Sequence, residues 1–259
     1  MNALFYCVIL KTPLQFTAMG KDVNIEKVVR QHLEMEQFFS GFTLKCTAGT
    51  PEPQQQKEDG MTAAQKAAEL EKIDTEVNKC RKCDLGSIRT NSVPGEGNPN
   101  ARIMFVGEGP GADEDAQGRP FVGRAGQLLD KIIAACGLKR NDVYIGNILK
   151  CRPPDNRDPR ADEIINCLPY LQRQIEIISP EIIVALGAHA AKTLLNTTKS
   201  IGRLRGQFLE YYTGIDRSPI KLMATYHPAY LLRNYSPDNR RKVWEDMQKV
   251  LTELGLPIP

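Results

Sequence analysis

Short apolar segments alternate with amphipathic segments along most of this chain. Apolar runs of about four to eight residues, bounded by turn-forming or polar residues, indicate buried strands. Such runs predict strands at 102–106, 143–149, 181–186, 208–212 and 220–226, with 208–212 the weakest. Apolar residues at helical spacing predict helices at 62–79, 123–136, 160–178, 188–195 and 236–254.

The alternation of strands and helices predicts the fold class. Short apolar strands separated by helices indicate a three-layer α/β/α domain with a central, mostly parallel four-stranded sheet. In such sheets ligands bind beyond the carboxyl ends of the strands. The segments starting at Gly107 and Asn147, and "TYHPAY" (225–230), all follow predicted strands. We therefore expect three loops to converge on one crevice.

The N-terminal region has a different character. Helical spacing over 23–39 predicts a short helix inside a leader that spans 1–46. Residues 47–62 are rich in Pro, Gln and charge, which is typical of a flexible linker. The α/β domain is then expected over 63–259.

Composition and charge add two limits. The 259 residues are 41% hydrophobic and carry a net charge of +3, as in an ordinary globular protein. The apolar run at 3–10 has no basic flank, which argues against a signal peptide, and no run is long enough for a membrane helix. These features predict a cytoplasmic protein that does not contact a membrane. The basic excess lies in residues 80–259, which is compatible with a polyanionic partner.

Four of the seven cysteines form a pattern. Cys80 and Cys83 make a C-x2-C pair, and Cys151 and Cys167 follow separately. The pair precedes the first strand, which argues against a thioredoxin-like site, and the second pair lacks the spacing of a zinc knuckle. Two paired and two dispersed thiolates suit a [4Fe–4S] cluster. The spacing favours the cluster and leaves zinc or unrelated buried thiols as alternatives.

Residues 107–112 match the dinucleotide-binding pattern G-x-G-x-x-A. Pro110 and the later turn residues Gly118 and Pro120 predict that no helix begins at these glycines, so no helix N-terminus would face a pyrophosphate. The acidic run at 113–115 would also repel phosphate. We therefore expect no nucleotide cofactor.

Three segments resemble a known family. "GEGPGADEDAQGRPFVGRAGQLL" (107–129), "NILKCRPPDNRDP" (147–159) and "HPAYLLRN" (227–234) are similar to the signature segments of the family 4 uracil-DNA glycosylases. These are iron–sulfur enzymes of base excision repair. The resemblance runs from about residue 80 to 254 and includes the four cysteines, which implies that the domain at 63–259 is a uracil-DNA glycosylase domain with a [4Fe–4S] cluster.

The resemblance implies a uracil pocket. Uracil in a duplex must be flipped out to be reached. Phe121 is expected to stack on the flipped base, and the Asn147 amide to contact its O4/N3 edge. The backbone around Glu108, Gly109 and Pro110 is expected to line the O2 side. The alternatives are a core aromatic for Phe121 and a turn residue for Asn147.

Two kinds of catalytic group are expected. His227 is expected to donate a hydrogen bond to uracil O2 as the glycosidic bond breaks. His189 opens a helix, so capping or packing explains it better. A carboxylate would stabilise the cationic sugar or orient water, and the expected order is Glu108, then Glu114, then Asp113.

The remaining expectations concern DNA. Tyr230 and Leu231 would fill the gap left by the flipped base, as wedge side chains do. Arg233, with Lys150, Arg152 and Arg157, would contact phosphates, although any one of them could simply be solvated.

The chain is thus expected to be a monomeric, monofunctional hydrolase that releases uracil from DNA and leaves an abasic site. The segment "CRPPDNRDPR" (151–160) contains no histidine, unlike the related branch that traps its product covalently, so ordinary turnover is expected. A cluster-containing binding module of low activity, attached to replication machinery, is the alternative. A nucleotide-dependent oxidoreductase is disfavoured by the loop at 107–112.

Overall fold

The computed structural model of the protein describes residues 61–213 and 218–259, together with an antiparallel pair of two-residue strands, β1 (Thr17–Ala18) and β2 (Lys21–Asp22). The predicted leader helix at 23–39 and most of the linker at 47–62 lie outside the described residues. None of the described helices is both long enough and apolar enough to cross a membrane.

The main domain alternates strands and helices as the hydrophobic pattern predicts. Its strands are β3 (Glu96–Gly97), β4 (Ile103–Gly107), β5 (Tyr144–Asn147), β6 (Ile182–Leu186), β7 (Phe208–Tyr211) and β8 (Ile220–Thr225). Its helices are α1 (Ala63–Lys79), α2 (Leu85–Ile88), α3 (Ala112–Gln117), α4 (Arg124–Ala135), α5 (Ala161–Ile178), α6 (Ala188–Leu195), α7 (Ile201–Leu204), α8 (Pro228–Arg233) and α9 (Pro237–Glu253), with 3-10 turns at Arg140–Asp142 and Pro154–Asn156.

The sheet has six strands in the order β3-β5-β4-β6-β8-β7. The four central strands are mutually parallel, whereas β3 and β7 pair antiparallel at the two edges. The predicted fold class is confirmed, but the strand count was too low. The two-residue strand β3 is too short to give a hydrophobic pattern, and the weak segment at 208–212 forms the other edge.

Both faces of the sheet are covered. Along β4 the side chains alternate, with Met104 and Val106 in one apolar cluster and Ile103 and Phe105 in the other. Helices α5 and α6 contribute to the first cluster, and α4 and α9 to the second. Burial on both faces explains why the central strands are apolar throughout rather than alternating.

A third apolar cluster lies beside α1. Its buried members are Ile73, Val77, Leu85, Leu149, Cys151, Cys167 and Tyr170. Helix α1 begins at a capping box, in which Thr62 N–H donates to Gln65 Oε1 at 2.8 Å and Gln65 N–H donates to Thr62 Oγ1 at 3.3 Å. It packs against α5, and the ion pair Arg173–Glu76 joins the two helices at the surface. All four patterned cysteines lie at this cluster, with Cys151 and Cys167 among its buried members and Cys80 and Cys83 packed against it.

Four short helices, α2, α3, α7 and α8, were not expected. The prediction that no helix begins near the glycines of 107–112 was wrong, because α3 starts at Ala112. Pro110 precedes this helix and does not interrupt it, and acidic residues in a first turn favour a helix N-terminus. Helix α8 starts at Pro228, a favourable first helical residue.

Candidate active site and cysteine cavity

The four central parallel strands place the site residues at the carboxyl-terminal end of the sheet. Strands β5, β4, β6 and β8 are neighbours, so their carboxyl ends lie side by side. The segments after β4 and β5 continue to pair, since Ile148 N–H and Leu149 N–H donate to the carbonyls of Gly107 and Glu108, each at 2.9 Å. The crevice predicted from the sequence is therefore present as a set of converging loops.

The predicted base-recognition residues meet across Gly107. A Cβ built on this glycine would lie 2.6 Å from Phe121 Cζ and would also overlap Asn147 Oδ1. Only glycine allows the aromatic ring and the amide to approach the end of β4 this closely. The Phe121 backbone has φ 50°, an uncommon conformation for an aromatic residue. Phe121 is also 6% exposed and belongs to the apolar cluster that α4 and α9 cover, so it is a core aromatic that its backbone conformation places against Gly107.

The Asn147 side chain is buried with an unpaired acceptor. Its relative exposure is 1%, and within the described part of the chain Asn147 Oδ1 has no hydrogen-bond partner. A buried unsatisfied polar atom costs about 1–3 kcal/mol, so such an atom usually has a functional reason. An acceptor held in this way suits a ligand that brings its own N–H donor.

The His227 imidazole is held in one tautomer. His227 caps α8, and its Nδ1 accepts a hydrogen bond from Ala229 N–H at 3.0 Å. An Nδ1 atom that accepts from a backbone N–H carries no proton, so the neutral ring has its proton on Nε2. The pKa of His227 is lowered to about 4, mainly by burial and secondly by Arg233, while Glu114 opposes both effects. The ring therefore offers a neutral Nε2–H donor, and its centroid lies 5.7 Å from that of Phe121.

The carboxylates of the loop after β4 have different environments. Glu114 accepts hydrogen bonds from Gly111 N–H at 3.1 Å and from Val122 and Gly123 N–H, both at 2.9 Å. It therefore holds the loop closed behind Phe121, and we do not carry its expected catalytic role forward. Asp113 is exposed and lies against Gly123.

Glu108 is the carboxylate best placed for chemistry. Its side chain is half-buried at the sheet edge, and burial raises its pKa, with His189 and Arg233 opposing the rise and Asp158 adding to it. Gly109 and Pro110 follow it, with Pro110 buried and Gly109 against Leu149. These three residues lie directly after β4, at the carboxyl ends of the central strands.

The four patterned cysteines line one cavity. Cys80, Cys83, Cys151 and Cys167 surround it together with Lys82, Arg89 and Tyr170. Arg89 Nη1 donates to Cys151 Sγ at 3.1 Å, and Lys150 N–H donates to Cys167 Sγ at 3.1 Å. Burial raises the pKa of Cys151 and of Cys167, and Arg89 and Lys150 respectively oppose this. The cavity thus brings the sulfur atoms together with cationic groups and N–H donors.

The spacing of these sulfur atoms bears on the kind of metal. Within the described ranges, the one set of three metal-ligating side chains whose ligand atoms lie within 4.8 Å of each other is Glu108, Asp158 and His189, which contains no cysteine. A zinc ion with Zn–S bonds of about 2.3 Å needs all its sulfur ligands within roughly 4.6 Å of one another. Among the described residues, the four sulfur atoms are therefore not drawn together as the ligands of one zinc ion would be.

Lys150 occupies a position that the sequence did not indicate. It was expected to contact phosphates, but its exposure is 1%. Its Nζ donates to the Asn147 carbonyl at 3.0 Å and to Gln174 Oε1 at 2.7 Å, while its backbone N–H contacts Cys167. Lys150 therefore joins the cysteine cavity to the backbone of Asn147.

The residues that were expected to contact DNA differ in how exposed their side chains are. Tyr230 is 36% exposed and Arg233 is exposed, whereas Leu231 is 4% exposed and points into the protein. The burial of Leu231 does not suit the wedge expected of it, whereas its neighbour Leu232 is 39% exposed. Arg157 is engaged by the buried carboxylate of Glu163, and Arg152 by Asn156.

Comparison with known proteins identifies the superfamily. The model of the uracil DNA glycosylase superfamily matches residues 94–248, more than half of the chain. The chain therefore belongs to the uracil-DNA glycosylase superfamily.

Individual relatives indicate the family within this superfamily. Type-4 uracil-DNA glycosylases from Sulfurisphaera tokodaii and Saccharolobus solfataricus are each 50% identical, over 70% and 72% of this chain and 83% and 87% of theirs. The type-4 enzyme from Thermotoga maritima is 49% identical over 70% of this chain and 92% of its own. Within the superfamily, the chain belongs to the type-4 family.

Proposed function

We propose that this protein excises uracil from DNA by hydrolysing the N-glycosidic bond of deoxyuridine, which leaves an abasic site. The observation that carries this proposal is the meeting of Phe121, the unpaired Asn147 Oδ1 and the Nε2–H of His227 at one edge of the sheet. Together they offer a stacking surface, an acceptor and a neutral donor to a flat polar base. The type-4 relatives, named for action on uracil in DNA, support this substrate.

Base recognition follows from the Asn147 amide. With Oδ1 accepting from uracil N3–H and Nδ2 donating to O4, the amide matches uracil, whereas cytosine presents the opposite pattern at this edge. The backbone anchor of Asn147 is fixed, since its carbonyl accepts from the buried Lys150. Phe121 then stacks on the flipped base.

Bond cleavage separates two charges. Uracil leaves with negative charge on O2, where the Nε2–H of His227 donates a hydrogen bond as that charge develops. The sugar becomes cationic, and the Glu108 carboxylate stabilises it and orients the attacking water. Water adds its oxygen to the sugar C1′, and its proton passes to Glu108 while uracil takes up a proton from solvent. His227 stays neutral throughout.

We assign a [4Fe–4S] cluster to the cysteine cavity. Cys80, Cys83, Cys151 and Cys167 would hold it, and the N–H donors of Arg89 and Lys150 to two of these sulfurs are typical of such sites. When bound, the cluster would link the segment after α1, the segment after β5 and helix α5. The residues of the catalytic pocket carry out the reaction.

DNA contact is assigned to exposed side chains of α8. Tyr230 and Leu232 fill the space left by the flipped nucleotide, and Arg233 contacts a phosphate. We further propose that the protein acts as a cytoplasmic monomer with ordinary turnover, and that residues 63–259 form the catalytic domain.

Cleavage of defined oligonucleotides tests the proposal. Purified holoprotein is incubated with single-stranded and duplex DNA carrying one uracil, thymine or cytosine at the same position, and the products are treated with alkali. We expect a strand break only at uracil and no protein–DNA adduct that survives SDS. Intact uracil DNA in the presence of an intact cluster absorption band would contradict the proposal.

A further inference from the structure

Three charged or titratable side chains lie near Glu108, and two of them, His189 and Asp158, have no part in the proposed reaction. His189 comes from the start of α6, Asp158 from the segment after the second 3-10 turn, and Arg233 from α8. One ligand atom from each of Glu108, Asp158 and His189 lies within 4.8 Å of the other two. His189 Nε2 lies 3.6 Å from Asp158 Oδ1, within ion-pair distance.

The position of His189 follows from the sheet. Strand β6 lies beside β4, and α6 begins two residues after β6, so its first turn reaches the same edge as Glu108. Helix capping would be served by a side chain that accepts backbone N–H donors, but the caps and turns of this segment are made by backbone groups. Capping therefore does not explain His189, which is about half-exposed and has a ring nitrogen within 4.8 Å of the Glu108 carboxylate.

We propose that His189 is a positioning residue that acts through Glu108, holding the carboxylate ionised and directed at the sugar, with Asp158 orienting the imidazole from its other side. This inference rests on the proposed function and adds a residue to its machinery. Partial burial disfavours the charged form of Glu108, and a neighbouring imidazole offsets this penalty. His189 and Asp158 are both exposed, so their substitution leaves the core intact.

Single-turnover excision at saturating enzyme tests this role. His189→Gln is expected to slow excision about tenfold, as the loss of a positioning contact does. It is also expected to move the acid limb of the rate profile to higher pH, since removing the imidazole raises the pKa of Glu108 further. In the Glu108→Gln background the same substitution is expected to have no further effect, because residues that act as one unit are non-additive.

Two variants serve as controls. Lys192→Gln removes a charge from the same helix and is expected to leave both the rate and the pH profile unchanged. Asp158→Asn is expected to slow excision less than His189→Gln does.

Two outcomes would overturn the inference while wild-type protein excises uracil. One is that His189→Gln slows excision by the same factor in the wild-type protein and in the Glu108→Gln background. The other is an unchanged single-turnover rate with weaker, more salt-dependent DNA binding, which would make His189 a phosphate contact. Wild-type protein that excises no uracil would instead contradict the proposed function.

Discussion

The catalytic pocket, formed by Phe121, Asn147 and His227, and the cysteine cavity differ in whether their polar atoms already have hydrogen-bond partners. In the pocket, Asn147 Oδ1 is buried without a partner among the described residues, and the Nε2–H of His227 is held ready as a donor. In the cavity, the sulfurs of Cys151 and Cys167 already accept hydrogen bonds from Arg89 and Lys150. A site that exchanges substrates keeps its polar groups available, whereas a site for a resident group surrounds it with fixed donors.

This difference predicts different consequences of substitution. Changes in the pocket should reduce excision and leave stability almost intact. Changes at the cavity should reduce stability first, and excision as a result. Lys150, which contacts both regions, should affect both properties.

The largest effect is expected at the cavity. Cys151→Ala removes a cluster ligand, and loss of a structural metal site is among the few changes that cost roughly 4–5 kcal/mol of unfolding free energy. We expect the cluster absorption band to disappear and the midpoint of thermal unfolding to fall. Cys136→Ala is the matched control, since this buried cysteine packs in the α4–α9 cluster and should leave the band intact.

The next largest effect is expected at His227. Removing one donor to a developing oxyanion costs about 10²–10³-fold in rate, so both His227→Ala and His227→Asn should slow single-turnover excision by this factor. Asparagine can still cap α8, whereas alanine cannot, so only alanine should also lose about 1 kcal/mol of stability. Equal stability losses in the two variants would contradict the capping geometry.

An intermediate effect is expected at Lys150. Lys150→Met leaves the Asn147 carbonyl and Gln174 Oε1 without this donor, at a cost of about 1–3 kcal/mol of unfolding free energy. Because the Asn147 backbone loses its anchor, discrimination between uracil and cytosine should weaken while the cluster band persists. Chemical denaturation and oligonucleotide cleavage measure the two changes, and unchanged discrimination would count against the anchoring role.

The smallest effect concerns the protonation of His227. With its pKa lowered to about 4, the folded imidazole stays neutral until the pH falls well below the unfolded value of about 6.5. The free energy of unfolding linked to His227 is therefore at its full value above the unfolded pKa of about 6.5. It is lost as the pH falls from there through the folded pKa of about 4. Nitrogen NMR of His227 should show almost no change between pH 8 and about pH 5. A transition to imidazolium near pH 6.5 would contradict the neutral-donor account.

The hydrophobic pattern predicted the central strands and long helices because burial on both faces leaves a continuous apolar signal. The bounds differ from the observed ones by at most two residues, as for Ile182–Leu186 and Ala188–Leu195. The short elements were missed. Pro110 and the later turn residues predicted that no helix begins at the glycines of 107–112, but Glu114 accepts from Gly111 N–H and stabilises the first turn of α3.

Which residues form the site could be predicted from the sequence, but their burial and their contacts could be predicted less well. Asn147 and His227 follow strands, so their position at the sheet edge could be predicted. The burial of Lys150 and Leu231, and the pairing of His189 with Glu108, depend on tertiary contacts between distant segments. No local pattern carries that information, because each is set by which strands are neighbours in the sheet.

The most direct test of this division between regions measures excision and cluster absorbance in the same sample of the His227→Asn variant. The account predicts a fall of about 10²–10³-fold in the single-turnover rate on uracil-containing DNA. Cluster absorbance and the unfolding midpoint should equal those of the wild type. A wild-type rate, or a fall in rate that follows a loss of absorbance, would contradict it.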